Sequence, residues 1–231
     1  MIPVPTIAAD TIDTADQPAT YIVLIRHGET AWNAERRLQG HIDIGLNEEG
    51  QRQAAALARA LQVESFDAIY ASDLQRAYQT AQAVARLQAM PVHADPGLRE
   101  RCYGGFEGLL YAEIEQRFPR QFAAWQARDV DGDMPDGARV AETFRQFFQR
   151  CRDTITAIGA RHAGQTIAMV AHGGVLECAY RAALGLSLET PRDFPVRNAS
   201  INRFTLQHGQ LALTSWGEVD HLRAGALDEL A

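Results

Sequence analysis

Short apolar runs that alternate with helix-patterned stretches leave this chain few folds to choose from. Residues 21–25 (YIVLI), 66–71 (FDAIYA) and 166–171 (TIAMVA) are too short for buried helices and suit strands covered on both faces. Each is followed by a stretch with helical periodicity. Residues 46–62 (LNEEGQRQAAALARALQ) offer Asn47 as an N-cap with acids in the first turn. Residues 72–88 (SDLQRAYQTAQAVARLQ) predict a helix capped by Ser72 or Asp73. Residues 91–100 read as a short strand and loop, residues 140–162 as a long amphipathic helix, and residues 173–185 as the helix after TIAMVA. A short polar helix is expected around residues 29–37, and a helical stretch over 111–128 is interrupted by Pro119. Residues 200–216 read as a terminal hairpin turning at His208-Gly209-Gln210. Strands spaced by helices predict an α/β fold, a three-layer α/β/α sandwich around a mostly parallel sheet.

The expected organisation is a loose tail over residues 1–20, a single domain over 21–217 with a small helical cap inserted at about 109–138, and a C-terminal tail over 218–231. At 231 residues and 46% hydrophobic, the chain can bury a substantial single core. Its net charge of −7 argues against nucleic-acid or acidic-membrane partners held by bulk charge. All 22 basic residues are arginine, which excludes lysine Schiff-base chemistry and the phosphate-loop lysine. Cys102, Cys151 and Cys178 are widely spaced and odd in number, so neither a disulfide framework nor a zinc site is expected. The first twenty residues carry three Asp and no basic residue, unlike a signal or transit peptide. No apolar run is long enough to span a membrane. The expected location is cytoplasmic.

In open α/β sheets the ligand crevice lies beyond the carboxyl ends of the strands. YIVLI ends in Arg26-His27-Gly28, TIAMVA ends in His172-Gly173-Gly174, and FDAIYA is followed within a turn by Arg76. Two arginines and two histidines beside helix N-termini make a local positive pocket in an acidic protein. A phosphoryl group suits it, since guanidinium forks match its oxygens and helix N–H groups take the rest.

These residues fall into ordered motifs. Arg26-His27-Gly28-Glu29-Thr30 with Asn33, Arg37, Gln39 and Gly40 is the first. Ser72-Asp73-Leu74 with Arg76, Ala77 and Thr80 is the second, and Leu98-Arg99-Glu100-Arg101 with Tyr103, Gly104, Glu107 and Gly108 the third. Ala171-His172-Gly173-Gly174 is the fourth, and Asn198-Ala199-Ser200-Ile201 opens a late strand. Together they resemble the histidine phosphatase superfamily, which includes the cofactor-dependent phosphoglycerate mutases, over about residues 21–216. The resemblance implies that His27 is the nucleophile, attacking phosphorus as a neutral imidazole. It implies that Arg26, Arg76 and His172 stabilise the transferring phosphoryl group, and that Glu100 gives and takes the proton. Asn33, Gln39 and the N–H of Gly173 would complete the phosphate shell, with Arg101 and Tyr103 on the substrate side. No metal is implied, because arginines supply the charge.

Hydrolase and mutase differ in whether water is shut out. The family's mutases carry an insertion after the Glu motif with basic residues, a lysine among them. Here residues 109–133 contain Arg117, Arg120 and Arg128 but no lysine, which favours a phosphomonoester hydrolase acting on a small phosphorylated metabolite. The alternatives are a phosphoglycerate mutase, with 2,3-bisphosphoglycerate as cofactor, and a non-catalytic phospho-ligand or protein-binding member. Phe118, Phe122 and Trp125 read as the cap's own core. The Asp129–Asp133 run lacks the EF-hand glycine and glutamate, since Met134 and Val140 stand there. His41, His93, His162, His208 and His221 read as surface or turn residues. The terminal hairpin offers an edge strand through which a homodimer could form.

Overall fold

The computed structural model describes residues 18–222 and 227–228, so most of the expected N-terminal tail lies outside the described residues. The strands are β1 (Thr20–Arg26), β2 (Ala68–Ala71), β3 (Val92–Ala94), β4 (Thr166–Ala171), β5 (Ile201–Gln207) and β6 (Gln210–Glu218). They form one sheet in the order β3-β2-β4-β1-β5-β6. The first four strands of that order run parallel, and the β5–β6 hairpin joins antiparallel.

The helices are α1 (Ala31–Glu35), α2 (Glu48–Ala60), α3 (Gln75–Gln88), α4 (Tyr111–Arg117), α5 (Pro119–Gln126), α6 (Phe144–Ala160) and α7 (Gly173–Leu184). The period-2 alternation of the central strands divides their side chains between two cores. Ile22 and Leu24 of β1, with Ile167 and Met169 of β4, pack among Phe147, Cys151, Ile155 and Leu176 of α6 and α7. Val23, Ile25, Ala168 and Val170 face Leu57 of α2 and Ala77, Ala81 and Val84 of α3. The architecture is therefore the expected α/β/α sandwich. A third, smaller core gathers Leu38, Phe106 and Ile114 with Phe118, Phe122 and Trp125 under the α4–α5 cap.

Three boundaries differ from expectation. Helix α3 starts at Gln75, and its N-cap, Leu74, has no capping side chain. Asp43 accepts from the Gln75 N–H at 2.7 Å instead, while Asp73 is taken by a two-point pair with Arg99. Helix α6 starts at Phe144, behind a Thr143–Gln146 capping box, and leaves Glu142 extended for another use. β6 runs on to Glu218, past the expected hairpin end at 216, and within the expected C-terminal tail Asp228 bridges to Arg197, while residues 223–226 and 229–231 lie outside the described residues. No helix among the described residues is long and apolar enough to cross a membrane.

Candidate active site

Strands β1, β4 and β2 are neighbours, so the groups that follow them meet at one sheet edge. Arg26 lies opposite Ala171 in the parallel β1–β4 register, which sets His27 beside His172. Their ring centroids are 5.2 Å apart. Arg76 enters from the first turn of α3, after β2. Arg26, His27, Arg76 and His172 are all at most 3% exposed.

Each polar group is aimed by local bonds. The Arg26 guanidinium donates to the carbonyl of Val196 at 2.6 Å, and Arg76 donates to those of Gly40 (2.8 Å) and Ile42 (3.1 Å). Nδ1 of His27 lies 2.7 Å from the Gly28 carbonyl, which fixes the N–H there and leaves Nε2 with its lone pair. The His27 pKa is held well below its ordinary value by burial, and further by Arg76 and Arg26. His172 is lowered well below by the same causes, burial first and then Arg76. Both rings are thus neutral at physiological pH. Among the described residues, the Nε of Arg26 and both ring nitrogens of His172 are buried without a hydrogen-bond partner. Buried polar atoms left open this way mark a place built for an absent polar ligand.

Gly28 matters for its size. A Cβ on it would lie 2.6 Å from the Gly50 carbonyl oxygen, so the close approach of the first turn of α2 requires glycine. The Gly28 N–H donates to Thr80 Oγ1 at 3.0 Å, and Asn198 Nδ2 donates to the His27 carbonyl at 3.0 Å. Asn33 and Gln39 line the crevice and are both tied to Thr30. Gly173 opens α7 beside His172. Glu100, 5% exposed, lines the same crevice, and its carboxylate accepts the N–H groups of Arg101 (2.7 Å) and Gly174 (3.0 Å). Tyr103 lines the mouth. The crevice encloses about 500 Å³. All ten residues singled out in the sequence thus lie in or beside it.

Sequence reasoning missed several neighbours. His41 stands in a turn, as one of its two readings had it, but its Nε2 lies 2.7 Å from the Glu100 carbonyl, a contact the sequence did not suggest. Leu227 and Asp228 line the crevice, and the Leu227 carbonyl accepts from the Asn198 N–H at 2.9 Å. His221 bonds the Ala199 carbonyl, and His162 joins Tyr70 to Gln165. Among the described residues no cluster of three His, Cys, Asp or Glu could hold a metal ion. The arrangement can bind a dianion, offer a neutral imidazole nitrogen to it, and hold a carboxyl group on the far side.

Known proteins are similar to this chain. The family model of the histidine phosphatase superfamily (branch 1) matches residues 22–219. Phosphoglycerate mutase-like protein 4 of Arabidopsis thaliana is 37% identical over 213 residues, 91% of this chain and 90% of its own length. The metal-independent phosphoserine phosphatase of Arabidopsis thaliana is 37% identical over 209 residues, 90% and 85% of the two lengths. A solved structure of phosphoserine phosphatase from Entamoeba histolytica, in complex with phosphoserine, superposes with a TM-score of 0.78 at 28% identity, covering 88% of this chain and 99% of that one.

Proposed function

The chain belongs to branch 1 of the histidine phosphatase superfamily, and from that premise we propose that it hydrolyses small phosphomonoesters through a phosphohistidine on His27. The observation that carries the reading is His27 itself. It is buried, kept neutral by burial and two guanidiniums, and pinned at Nδ1, so that Nε2 is the nucleophilic atom.

In the first step Nε2 of His27 attacks phosphorus in line and the ester P–O bond breaks. Glu100 gives its proton to the leaving alkoxide. Charge spread over the equatorial oxygens is met by Arg26, Arg76 and His172, with Asn33, Gln39 and the Gly173 N–H completing the shell. In the second step Glu100 takes a proton from water as that water attacks phosphorus. The P–N bond breaks, which returns neutral His27 and releases phosphate. The guanidiniums supply the charge that a metal would otherwise bring.

Hydrolysis is favoured over phosphoryl return by the cap, whose residues 109–133 contain no lysine. A relative named as a phosphoserine phosphatase supports the same direction. The mutase reading draws on Arg101 and Tyr103 at the mouth and on the relative named phosphoglycerate mutase-like. Purified protein should release phosphate from p-nitrophenyl phosphate in the presence of EDTA. It should form an acid-labile, alkali-stable phospho-adduct that His27→Ala abolishes. Strong conversion of 3-phosphoglycerate to 2-phosphoglycerate, stimulated by 2,3-bisphosphoglycerate, would overturn hydrolysis in favour of the mutase. Absence of both label and turnover would leave a binding module.

A further inference from the structure

Residues 39–43 form one turn that touches both halves of the chemistry. The Ile42 N–H donates to the Gln39 carbonyl at 3.0 Å and closes it. Gly40 stands at φ +54, and a Cβ there would collide with the Glu107 carboxylate, so the turn needs glycine for its backbone and for space. The carbonyls of Gly40 and Ile42, on either side of His41, accept from the Arg76 guanidinium at 2.8 and 3.1 Å. Asp43 takes the N–H of Gln75, the residue before Arg76, at 2.7 Å. This turn therefore sets where a phosphate-facing guanidinium points.

His41 joins the same turn to the acid. Its Nε2 lies 2.7 Å from the Glu100 carbonyl, and the Glu107 carboxylate accepts both the His41 N–H (2.9 Å) and the Tyr103 N–H (3.0 Å). A carbonyl can only accept, so Nε2 carries the ring proton. Burial lowers the His41 pKa from its ordinary value, although the Glu100 carbonyl, Glu107 and Glu142 pull the other way. Near neutral pH the ring is thus neutral, and that proton is its one donor.

The peptide it grips is the one that aims the carboxyl group. The Glu100 carbonyl and the Arg101 N–H are two ends of a single planar unit, and that N–H donates to the Glu100 carboxylate at 2.7 Å. Fixing the carbonyl end fixes the direction of the N–H end, and with it the carboxylate. Arg150 takes the carbonyl's other lone pair at 3.1 Å, but it reaches in from α6, whereas His41 relates the peptide to the turn that aims Arg76. The ring itself is half-buried and outside the crevice lining, so its effect on a substrate passes through Glu100.

We propose that His41 is a positioning residue for proton transfer: its Nε2–H fixes the Glu100–Arg101 peptide, and so holds the Glu100 carboxyl group at a set place from the phosphoryl group on Arg76. The assignment rests on the hydrolase reading for the proton that Glu100 carries.

His41→Asn and His41→Gln provide the test, because a glutamine amide N–H reaches the place of Nε2 and the shorter asparagine does not. On glycerol phosphate, whose alkoxide needs a proton, kcat/KM of His41→Asn should fall about ten- to a hundredfold. On p-nitrophenyl phosphate it should fall by less than about threefold. The inhibition constant of inorganic phosphate should stay within about twofold, since the carbonyls that aim Arg76 remain. His41→Gln should keep kcat/KM on glycerol phosphate within about threefold of wild type. Nitrogen NMR of the wild-type imidazole, which needs no variant to fold, should find the His41 proton on Nε2. A proton on Nδ1, equal losses on the two esters, or a glutamine variant as impaired as the asparagine one overturns the role. A phosphate inhibition constant raised in step with the loss does so too, since His41 then only shapes the turn. The wild-type enzyme tells the two readings apart. No phosphate release from either ester overturns the hydrolase reading and the role with it, whereas turnover with the wrong pattern across the variants overturns the role alone.

Discussion

Replacing Glu142 with glutamine should disturb proton transfer by Glu100 more than it disturbs the fold. Glu142 lies just before α6 and grips Arg150 through both carboxylate oxygens at 2.7 Å. It also accepts the Cys102 N–H at 2.9 Å. Arg150 in turn donates to the carbonyls of Gly97 (2.9 Å), Arg99 (2.9 Å) and Glu100 (3.1 Å), while His41 reaches the Glu100 carbonyl from the other side. The backbone that carries Glu100 is thus clamped by one ion pair and one histidine. Burial works to raise the Glu142 pKa, yet Arg150 and the Cys102 N–H hold it below its ordinary value. Breaking a fully buried pair costs about 3–5 kcal/mol, but these side chains are 21% and 24% exposed and glutamine keeps one acceptor. The expected loss is therefore about 1–2 kcal/mol, or roughly 2–8 °C in melting temperature for a chain of this size. A carboxyl group displaced by even about 1 Å can cost on the order of a hundredfold in rate. Nitrophenolate leaves without a proton, whereas an alkoxide needs one. Hydrolysis of the phosphohistidine is common to both esters, so the contrast belongs to kcat/KM, which reports the first step: it should fall about ten- to a hundredfold on glycerol phosphate and by less than about threefold on p-nitrophenyl phosphate. Equal losses of kcat/KM on the two esters, or a lowered melting temperature with kcat/KM on the alkyl ester unchanged, would refute the positioning role.

The depressed pKa values of His27 and His172 have a signed consequence for stability. Below about pH 6.5 the unfolded chain takes up protons that the folded one refuses, so stability falls as pH drops from there toward the folded values. NMR titration of labelled histidine rings should find these two resonances still neutral when exposed histidines are charged, and two ordinary titrations would contradict the burial argument. Gly28→Ala should lose about 1–3 kcal/mol, because its Cβ would press on the Gly50 carbonyl, a backbone atom that cannot turn away; urea unfolding with a midpoint unchanged from wild type would count against the close approach. Asp43→Ala removes the side-chain acceptor of the Gln75 N–H at the start of α3, so it should cost about 0.5–2 kcal/mol. Because Arg76 sits one residue further on, KM for any phosphoester should rise with it, and a pure stability loss with KM unchanged would separate the cap from the site.

The difference between what was legible in the sequence and what was not follows contact range. Arg26, His27, Arg76 and His172 sit where an apolar strand gives way to a turn or helix, so their placement at the sheet edge follows from local pattern alone. The strand order that makes β1, β4 and β2 neighbours is not local, but parallel strands with their helices on both faces leave few alternatives once the motifs must meet. The cap of α3 was misread because Ser72 and Asp73 have the right chemistry, yet Asp43, from another loop, takes the Gln75 N–H while Arg99 holds Asp73. Nothing near His41 in the sequence points to the Glu100 carbonyl, and nothing near Glu142 points to Arg150 as a clamp on a loop some forty residues earlier. The return of Leu227 and Asp228 to the crevice is equally silent, since their bonds go to Val196 and Asn198.

How the arginines are held explains why the chain can keep positive charge in its interior at all. Arg150 and Arg203 are neutralised by acids, and Arg203 is raised to a strongly basic value by Glu64. Arg26, by contrast, is fixed by the Val196 carbonyl and has no carboxylate partner among the described residues, and Arg76 is oriented by two further carbonyls. A carbonyl aligns a guanidinium without cancelling its charge, so the charge of Arg26 survives in the crevice. With burial, the same field disfavours imidazolium, which leaves the His27 ring neutral beside two cations. Arginine suits this task better than lysine: its rigid fork can spend one edge on a carbonyl and still offer another to the ligand, and it stays charged when buried. A chain without lysine therefore loses nothing at this site, and Arg26→Lys or Arg76→Lys should behave as a loss of function rather than a conservative exchange.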